Sequence, residues 1–306
     1  MLLGDLQLKP EITKFPPPHH LLEVKSLNIH NRNSGHNHLE GPLLICPCVG
    51  KVPPKMSINP PPPSLFDKTT LTSLASTVAI LLAALAISRR VLDPHTTPAR
   101  LRALFVWHAF DALIHFILEG SFVYHCLFSS TPALQLNTGV GGMRYWPDPA
   151  MYLGGRGAGA TEHVHGAQAG GDNPLAKLWM VYARADYRWA GVDLTVLSIE
   201  IITVLFAGCM ACLACYDIAR KSPRANLVMI LLATAEIYGG YMTFMPEWLT
   251  GNHNLDTSNF MYKWIFLIFF NGLWVVVPLY AIYVAADDIL DAFRVRATAL
   301  GEKKAK

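Results

Sequence analysis

The sequence predicts an all-α polytopic membrane protein, a bundle of about five transmembrane helices, and three observations predict it. The chain of 306 residues is 52% hydrophobic and only 15% charged, against about 25% charged in ordinary soluble domains. The missing charge is concentrated rather than spread: no Asp, Glu, Lys or Arg occurs over 69–88 or over 264–286. Three further runs, about 103–124, 194–216 and 225–246, are apolar with a few polar interruptions. Each run is long enough for a helix across a hydrocarbon core of about 30 Å. Such runs are too continuous for barrel strands, so helices are the spanning structure that satisfies every backbone group.

Element by element, residues 1–67 are rich in Pro, His and Asn, with proline runs at Pro16–Pro18 and Pro60–Pro63. That composition predicts a disordered tail. It lacks the basic start and short apolar stretch of a cleavable signal peptide, so the first span is expected to serve as the signal anchor. The membrane domain is expected over 68–290. It is interrupted after the second span by a loop insertion, about 129–173, whose part from Gly139 to Gly171 is Gly-rich and reads as flexible. His163 and His165 lie in it and read as loop residues rather than metal ligands. Residues 291–306 are expected to form a basic tail.

Orientation follows from the short loops. Arg89, Arg90, Arg100 and Arg102 lie between spans one and two, and Arg220, Lys221 and Arg224 between spans three and four. Arg294, Arg296, Lys303, Lys304 and Lys306 follow span five. Five crossings put all three clusters on one side, which the positive-inside rule makes cytosolic. The last four residues have the spacing of a dilysine endoplasmic-reticulum retrieval signal.

Several function classes lose support. The net charge of +3 is far from the dense basic patch of a nucleic-acid binder. Phosphate-loop, Gly-x-Ser-x-Gly and His-Glu-x-x-His motifs are absent from the sequence, as is any Asn-x-Ser/Thr sequon. A transporter reading lacks an internal repeat. Cys209, Cys212 and Cys215 step along one helix and read as packing residues; Cys46-Pro-Cys48 receives no role.

What remains is a set of ionisable groups at membrane depth, each costing about 2.5–3.5 kcal/mol on insertion scales. His108, Asp111, His115 and Glu119 are spaced by three, four and four, a stripe about 80° wide on one helix face. His115 and Glu119 are placed to hydrogen-bond, a pairing suited to proton transfer near neutral pH. Span three adds Glu200 and Thr203, span four Glu236 and Tyr238, and span five Asn271, Trp274 and Pro278. Trp274 lies too deep for an interfacial belt, and its π face can stabilise a cation. The stripe therefore faces the bundle interior or a cavity.

These residues also carry a resemblance. The stretch Ile114-His115-Phe116-Ile117-Leu118-Glu119-Gly120 resembles the His-x-x-x-Glu-Gly helix of the emopamil-binding protein family, the sterol Δ8–Δ7 isomerases of the EXPERA superfamily, which also contains the sigma-2 receptor. Leu178-Trp179-Met180-Val181-Tyr182-Ala183, with Asp186, Arg188 and Trp189, is similar to the family's motif before helix three. Ile237-Tyr238-Gly239 and Asn271-Gly272-Leu273-Trp274 are similar to its helices four and five. The similarity covers roughly 65–290 and implies a five-helix EXPERA bundle with an intramembrane cavity. It also implies a cofactor- and metal-free double-bond shift in a sterol or related polycyclic terpenoid, in the endoplasmic reticulum membrane. Carried over, His115 and Glu119 are the proton-transfer pair. Glu200, oriented by Thr203, stabilises the carbocation, Trp274 faces it and Asn271 positions the acidic groups. Trp179, Tyr182, Asp186, Arg188, Trp189 and Tyr238 form the supporting pocket. Amphipathic amines are implied as inhibitors, and a homo-oligomer is compatible with the apolar surface. Two departures, Gly240 where the pattern has Asp and Leu205-Phe206-Ala207-Gly208 in helix three, leave open a specialised terpenoid substrate. A non-catalytic sterol- or amine-binding protein like the sigma-2 branch is the other reading.

Overall fold

The structure is a computed structural model that describes residues 66–133, 146–154 and 163–304. The proline-rich tail up to residue 65 with Cys46 and Cys48, most of the Gly-rich stretch, and Lys306 lie outside the described residues. Five helices are long and apolar enough to cross a membrane. They are α1 (Lys68–Val91), α2 (Ala99–Phe128), α4 (Leu194–Ala219), α5 (Arg224–Leu249) and α6, which starts at Met261 and runs to Lys304. A short helix, α3 (Pro174–Tyr182), lies between α2 and α4.

The helix boundaries have local causes. Asp67 caps α1, its carboxylate accepting from Thr70 N, and Arg89 and Arg90 occupy the last turn where the helix dipole favours cations. Asn173 caps α3 ahead of Pro174 at the first helical position. Asp193 caps α4 by accepting from Thr195 N and Val196 N. Between α4 and α5, Lys221 turns the chain with a positive φ and Pro223 leads into the next helix.

Helix α2 is the centre of the bundle. In its most apolar window 61% of residues are buried, against 11–33% in the other four spans. Its first half is packed nearly all round, with Leu104, Phe105, Trp107, His108, Phe110 and Asp111 all buried, the pattern of a core helix, while Phe116, Ile117, Tyr124 and Phe128 further on are exposed. Helices α1 and α4 pack against it, and α5 and α6 pack along each other.

Three spans are locally unwound to π-helix: Ile114–Glu119 in α2, Thr203–Ala207 in α4 and Met261–Phe270 in α6. Each lies at or beside a polar membrane residue singled out above. Such turns concentrate at functional sites.

Two segments carry more regular structure than their composition alone indicates. Helix α6 does not give way to a separate tail at 291 but continues to Lys304. Along its polar part Asp287 and Asp288 pair with Arg100 (3.4 and 2.5 Å) and Asp291 with Arg294 at i,i+3 (2.8 Å), exposed pairs that each add little to the helix. The described parts of the loop insertion are also built rather than loose. Strand β1 (Ser130–Pro132) pairs antiparallel with β2 (His163–His165), Trp146 Nε1 donates to Val192 O at 3.0 Å, and His165 Nδ1 lies 2.6 Å from Asp148 Oδ2. Gly166, at φ 94°, passes so close to Gly191 that a Cβ would sit 2.5 Å from its Cα. Cys209 and Cys212 are exposed on the outside of α4, and Cys215 faces Phe105 O.

The end of the bundle that carries this insertion is tied by a buried ion cluster. Arg188 forks onto Asp186 (Nε to Oδ1 2.9 Å, Nη2 to Oδ2 2.6 Å), donates from Nη1 to Thr243 O at 2.7 Å, and lies 3.6 Å from Glu247. Glu247 in turn accepts from Asn254 N and Nδ2. Burial, only partly offset by the Arg188 guanidinium, holds the Asp186 carboxyl above its usual range. Removing one partner of such a cluster leaves uncompensated buried charge, a cost of about 3–5 kcal/mol. Arg188→Ala is therefore expected to lower the melting temperature of the detergent-solubilised protein sharply; an unchanged midpoint would show that the cluster does not hold the end of α5.

Candidate acid–base site

The helical stripe of α2 closes into a chain of contacts. His115 is 1% exposed and has a carboxylate at each ring nitrogen. Nδ1 shares a hydrogen bond with Glu119 Oε2, whereas Nε2 lies 3.0 Å from Asp111 Oδ1 outside hydrogen-bond geometry, without a hydrogen-bond partner among the described residues. Asp111 Oδ1 also accepts from Trp274 Nε1 of α6 at 2.8 Å. The π turn begins beside His115 and ends at Glu119, so it sets the rotation of one relative to the other. Gly208 of α4 allows a close approach at this point: a Cβ there would lie 2.9 Å from Phe116 Cζ and 3.3 Å from His115 Cβ.

Across from this stripe stands Glu200 of α4, buried, with Oε2 accepting from Thr203 Oγ1 at 3.0 Å. The same hydroxyl reaches Glu200 O at 2.9 Å, at the start of the second π turn. Glu236 of α5 is 5% exposed, and among the described residues neither of its carboxyl oxygens has a hydrogen-bond partner. Donor atoms of Asp111, His115 and Glu236 lie within 4.8 Å of one another. We assign none of the three as a metal ligand.

These groups open onto a cavity of about 730 Å³, within the usual range for small-molecule sites. Ser73 and Thr77 of α1, His115 and Glu119 of α2, Trp179 and Tyr182 of α3, and Glu200 and Thr203 of α4 line it. Glu236 and Gly240 of α5 and Asn271 and Trp274 of α6 complete the polar part of a wall that is otherwise apolar. Trp189 also lines it and stacks on Trp179 with centroids 4.6 Å apart and planes 10° apart. Trp179 Nε1 donates to Leu118 O and Ser121 Oγ, both at 3.0 Å, fixing the stack against α2.

Not every residue named from the sequence reaches this wall. Tyr238 is 64% exposed on the outer face of α5 and does not line the cavity; its neighbours Ile237 and Gly239 do. Asp186 and Arg188 belong to the buried ion cluster and lie off the cavity wall. Asn271 does not hold an acidic group. Its Nδ2 donates to Tyr182 Oη (3.0 Å) and to Phe266 O and Leu267 O (both 2.9 Å), occupying carbonyls of the third π turn. Conversely, sequence reasoning left Asp111 and Glu236 without a role. Asp111 sits four residues before His115, mirroring Glu119 four residues after it, and that symmetry was a usable signal. Glu236 is brought in by the packing of α5, and only its cost in an apolar helix marks it in sequence.

The molecule is thus a five-span membrane protein whose spans enclose an apolar cavity with an acid–base wall. The model of EXPERA, the expanded EBP superfamily, matches residues 174–285, which includes Glu200, Asn271 and Trp274 but ends short of α2. A probable 3-beta-hydroxysteroid-Delta(8),Delta(7)-isomerase of Oryza sativa subsp. japonica is 27% identical over 207 residues, 68% of this chain and 74% of the relative. The 3-beta-hydroxysteroid-Delta(8),Delta(7)-isomerase of Cavia porcellus is 29% identical over 104 residues, 34% of this chain and 45% of the relative. An isomeliandiol synthase of Melia azedarach is 28% identical over 106 residues, 35% and 49% of the two chains. The chain thus spans about half the length of the last two relatives. Over residues 174–285 the chain is similar to the EXPERA proteins, the expanded EBP superfamily.

Asn271 gives a direct check on this geometry. Asn271→Ala leaves the Tyr182 hydroxyl and two carbonyls short of a donor, at about 1–3 kcal/mol. The expected result is a lower melting temperature with faster amide exchange across 266–271; unchanged exchange there would mean that the side chain does not stabilise the π turn.

Proposed function

We propose that the protein is a sterol Δ8–Δ7-type isomerase that shifts a ring double bond by protonation and deprotonation. The observation that carries this reading is His115, held between two carboxylates on the wall of an otherwise apolar cavity within the spans. The isomerase names of its relatives support it. The reaction moves no electrons in or out of the substrate. A proton is added to one alkene carbon, the π pair forms the new C–H bond, and a tertiary carbocation is left. A neighbouring C–H bond then breaks, its electron pair forms the new double bond, and its proton returns to the protein.

Each step has a candidate group. His115 and Glu119 exchange the proton with the substrate, since both line the cavity and the hydrogen bond between them keeps the ring oriented. Glu200, aligned by Thr203, offers negative charge to the cation. A carboxylate and a π face stabilise a cation far more in low dielectric than in water. The Trp274 indole N–H is fixed on Asp111, which holds its ring at the wall. The stacked Trp179–Trp189 pair helps exclude water, which would capture the cation as an alcohol. Asn271 acts one step back, by fixing Tyr182. We place its C-terminus on the cytosolic side, on the distribution of Lys and Arg among the loops, and the protein in the endoplasmic reticulum membrane, on its resemblance to the emopamil-binding proteins.

A tetracyclic terpenoid other than the housekeeping sterol is the second reading. The similarity to an isomeliandiol synthase favours it. So does the cavity wall at Gly239–Gly240, where a Cβ on Gly240 would meet nothing within 4 Å and the space is left to the substrate.

In cells lacking their own Δ8–Δ7 isomerase, this chain is expected to deplete accumulated Δ8-sterols in favour of Δ7-sterols. His115→Ala and Glu119→Gln are each expected to lower that conversion by about 100-fold or more, and an amphipathic amine mimicking the carbocation is expected to block it. Unchanged sterols with well-folded protein in the membrane would reject the housekeeping substrate. Conversion that survives His115→Ala would reject the proton carrier.

A further inference from the structure

The acid–base wall contains more titratable groups than one proton-transfer pair requires. Asp111 and Glu236 stand on the far side of His115 from Glu119. Glu236 is buried and lines the cavity, yet neither of its oxygens meets a donor, and Oδ2 of Asp111 also meets none. Asp111 and Glu236 have oxygens within 4.8 Å of each other. Two ionised carboxylates cannot lie that close in a buried site without donors to hold them. One proton between them removes a charge and supplies the missing O–H donor at the same time.

We propose that Asp111 and Glu236 hold a single proton between them and form a second acid of the cavity, joined to Glu119 through the two ring nitrogens of His115. This rests on the isomerase reading and deepens it: one group gives the proton to the alkene and another takes the proton from the cation. Glu236 delivers its proton to an alkene carbon, becoming a carboxylate as the C–H bond forms. The C–H bond of the neighbouring carbon breaks, and its proton passes to Glu119. The imidazole of His115 accepts that proton at Nδ1 and, once its ring turns Nε2 into line with Asp111 Oδ1, 3.0 Å away, releases the one on Nε2 to Asp111, which shares it again with Glu236. Protons balance over the cycle and no co-reactant is used. Trp274 is the pivot of the arrangement, because its indole N–H holds the Asp111 oxygen that faces His115. The acid thereby stands at a different point of the wall from the base, and the substrate need not turn between the two steps.

The test has one readout that needs no substrate and one that does. In infrared difference spectra of the full chain in detergent, wild type minus Glu236→Gln is expected to show the carbonyl stretch of a neutral carboxylic acid, moving in D2O. Asp111→Asn is expected to shift that band. Identical carboxylic-acid regions in wild type and Glu236→Gln would overturn the shared proton, whether or not Δ8-sterols are turned over. With a substrate that wild type converts and His115→Ala does not, Glu236→Gln is expected to lower kcat by about 100-fold with KM little changed, and Glu236→Asp to recover part of it. A kcat for Glu236→Gln equal to wild type would overturn its catalytic role. Failure of wild type to convert any Δ8-sterol would instead reject the isomerase reading and leave the infrared result standing.

Discussion

The contact on which the rest depends is the imidazole of His115 between the carboxylates of Glu119 and Asp111. An ionisable group at membrane depth is costly without partners. Supplying them constrains the architecture around it. Trp274 must come from α6 to hold Asp111, and α4 must approach closely enough at Gly208 to bring Glu200 opposite. Helix α2 must then be surrounded, which is why it is the most buried span although it carries most of the polar stripe.

The π turns are how these demands are met without breaking a helix in lipid. Each changes the rotation of one half of a span relative to the other while keeping its backbone bonded within the helix. In α2 the turn runs through His115 to Glu119, in α4 it starts at Thr203 next to Glu200, and in α6 it ends just before Asn271. Side chains also occupy carbonyls at these places: Thr203 on Ile199 O and Glu200 O, Asn271 on Phe266 O and Leu267 O. The same residues that line the cavity therefore stabilise the irregular backbone that shapes it.

The spans were legible in sequence because the cost of charge in lipid writes itself as long charge-free runs. The stripe from His108 to Glu119 was legible because helical spacing is a strict geometric code. Three things were not legible. Tyr238 sits in a motif between cavity residues, yet the rotation of α5, set by its packing on α6, turns it outward. Glu236 joins Asp111 only through that same packing, which pattern along one chain does not encode. The helical continuation of α6 to Lys304, with the pairing of Asp288 and Arg100 188 positions apart in sequence, is not written in local composition, which reads as a tail.

The central claim is that a proton from this wall is added to a substrate carbon. Isomerisation of a Δ8-sterol by the purified protein in D2O tests it most directly. With protein equilibrated in D2O, the account predicts one solvent-derived deuterium in the product of the first turnover, at the carbon that gains hydrogen, in wild type and not in His115→Ala. Product formed at the wild-type rate with no deuterium gained from solvent would mean that hydrogen moves within the substrate, and that the proton chain on α2 does not perform the reaction.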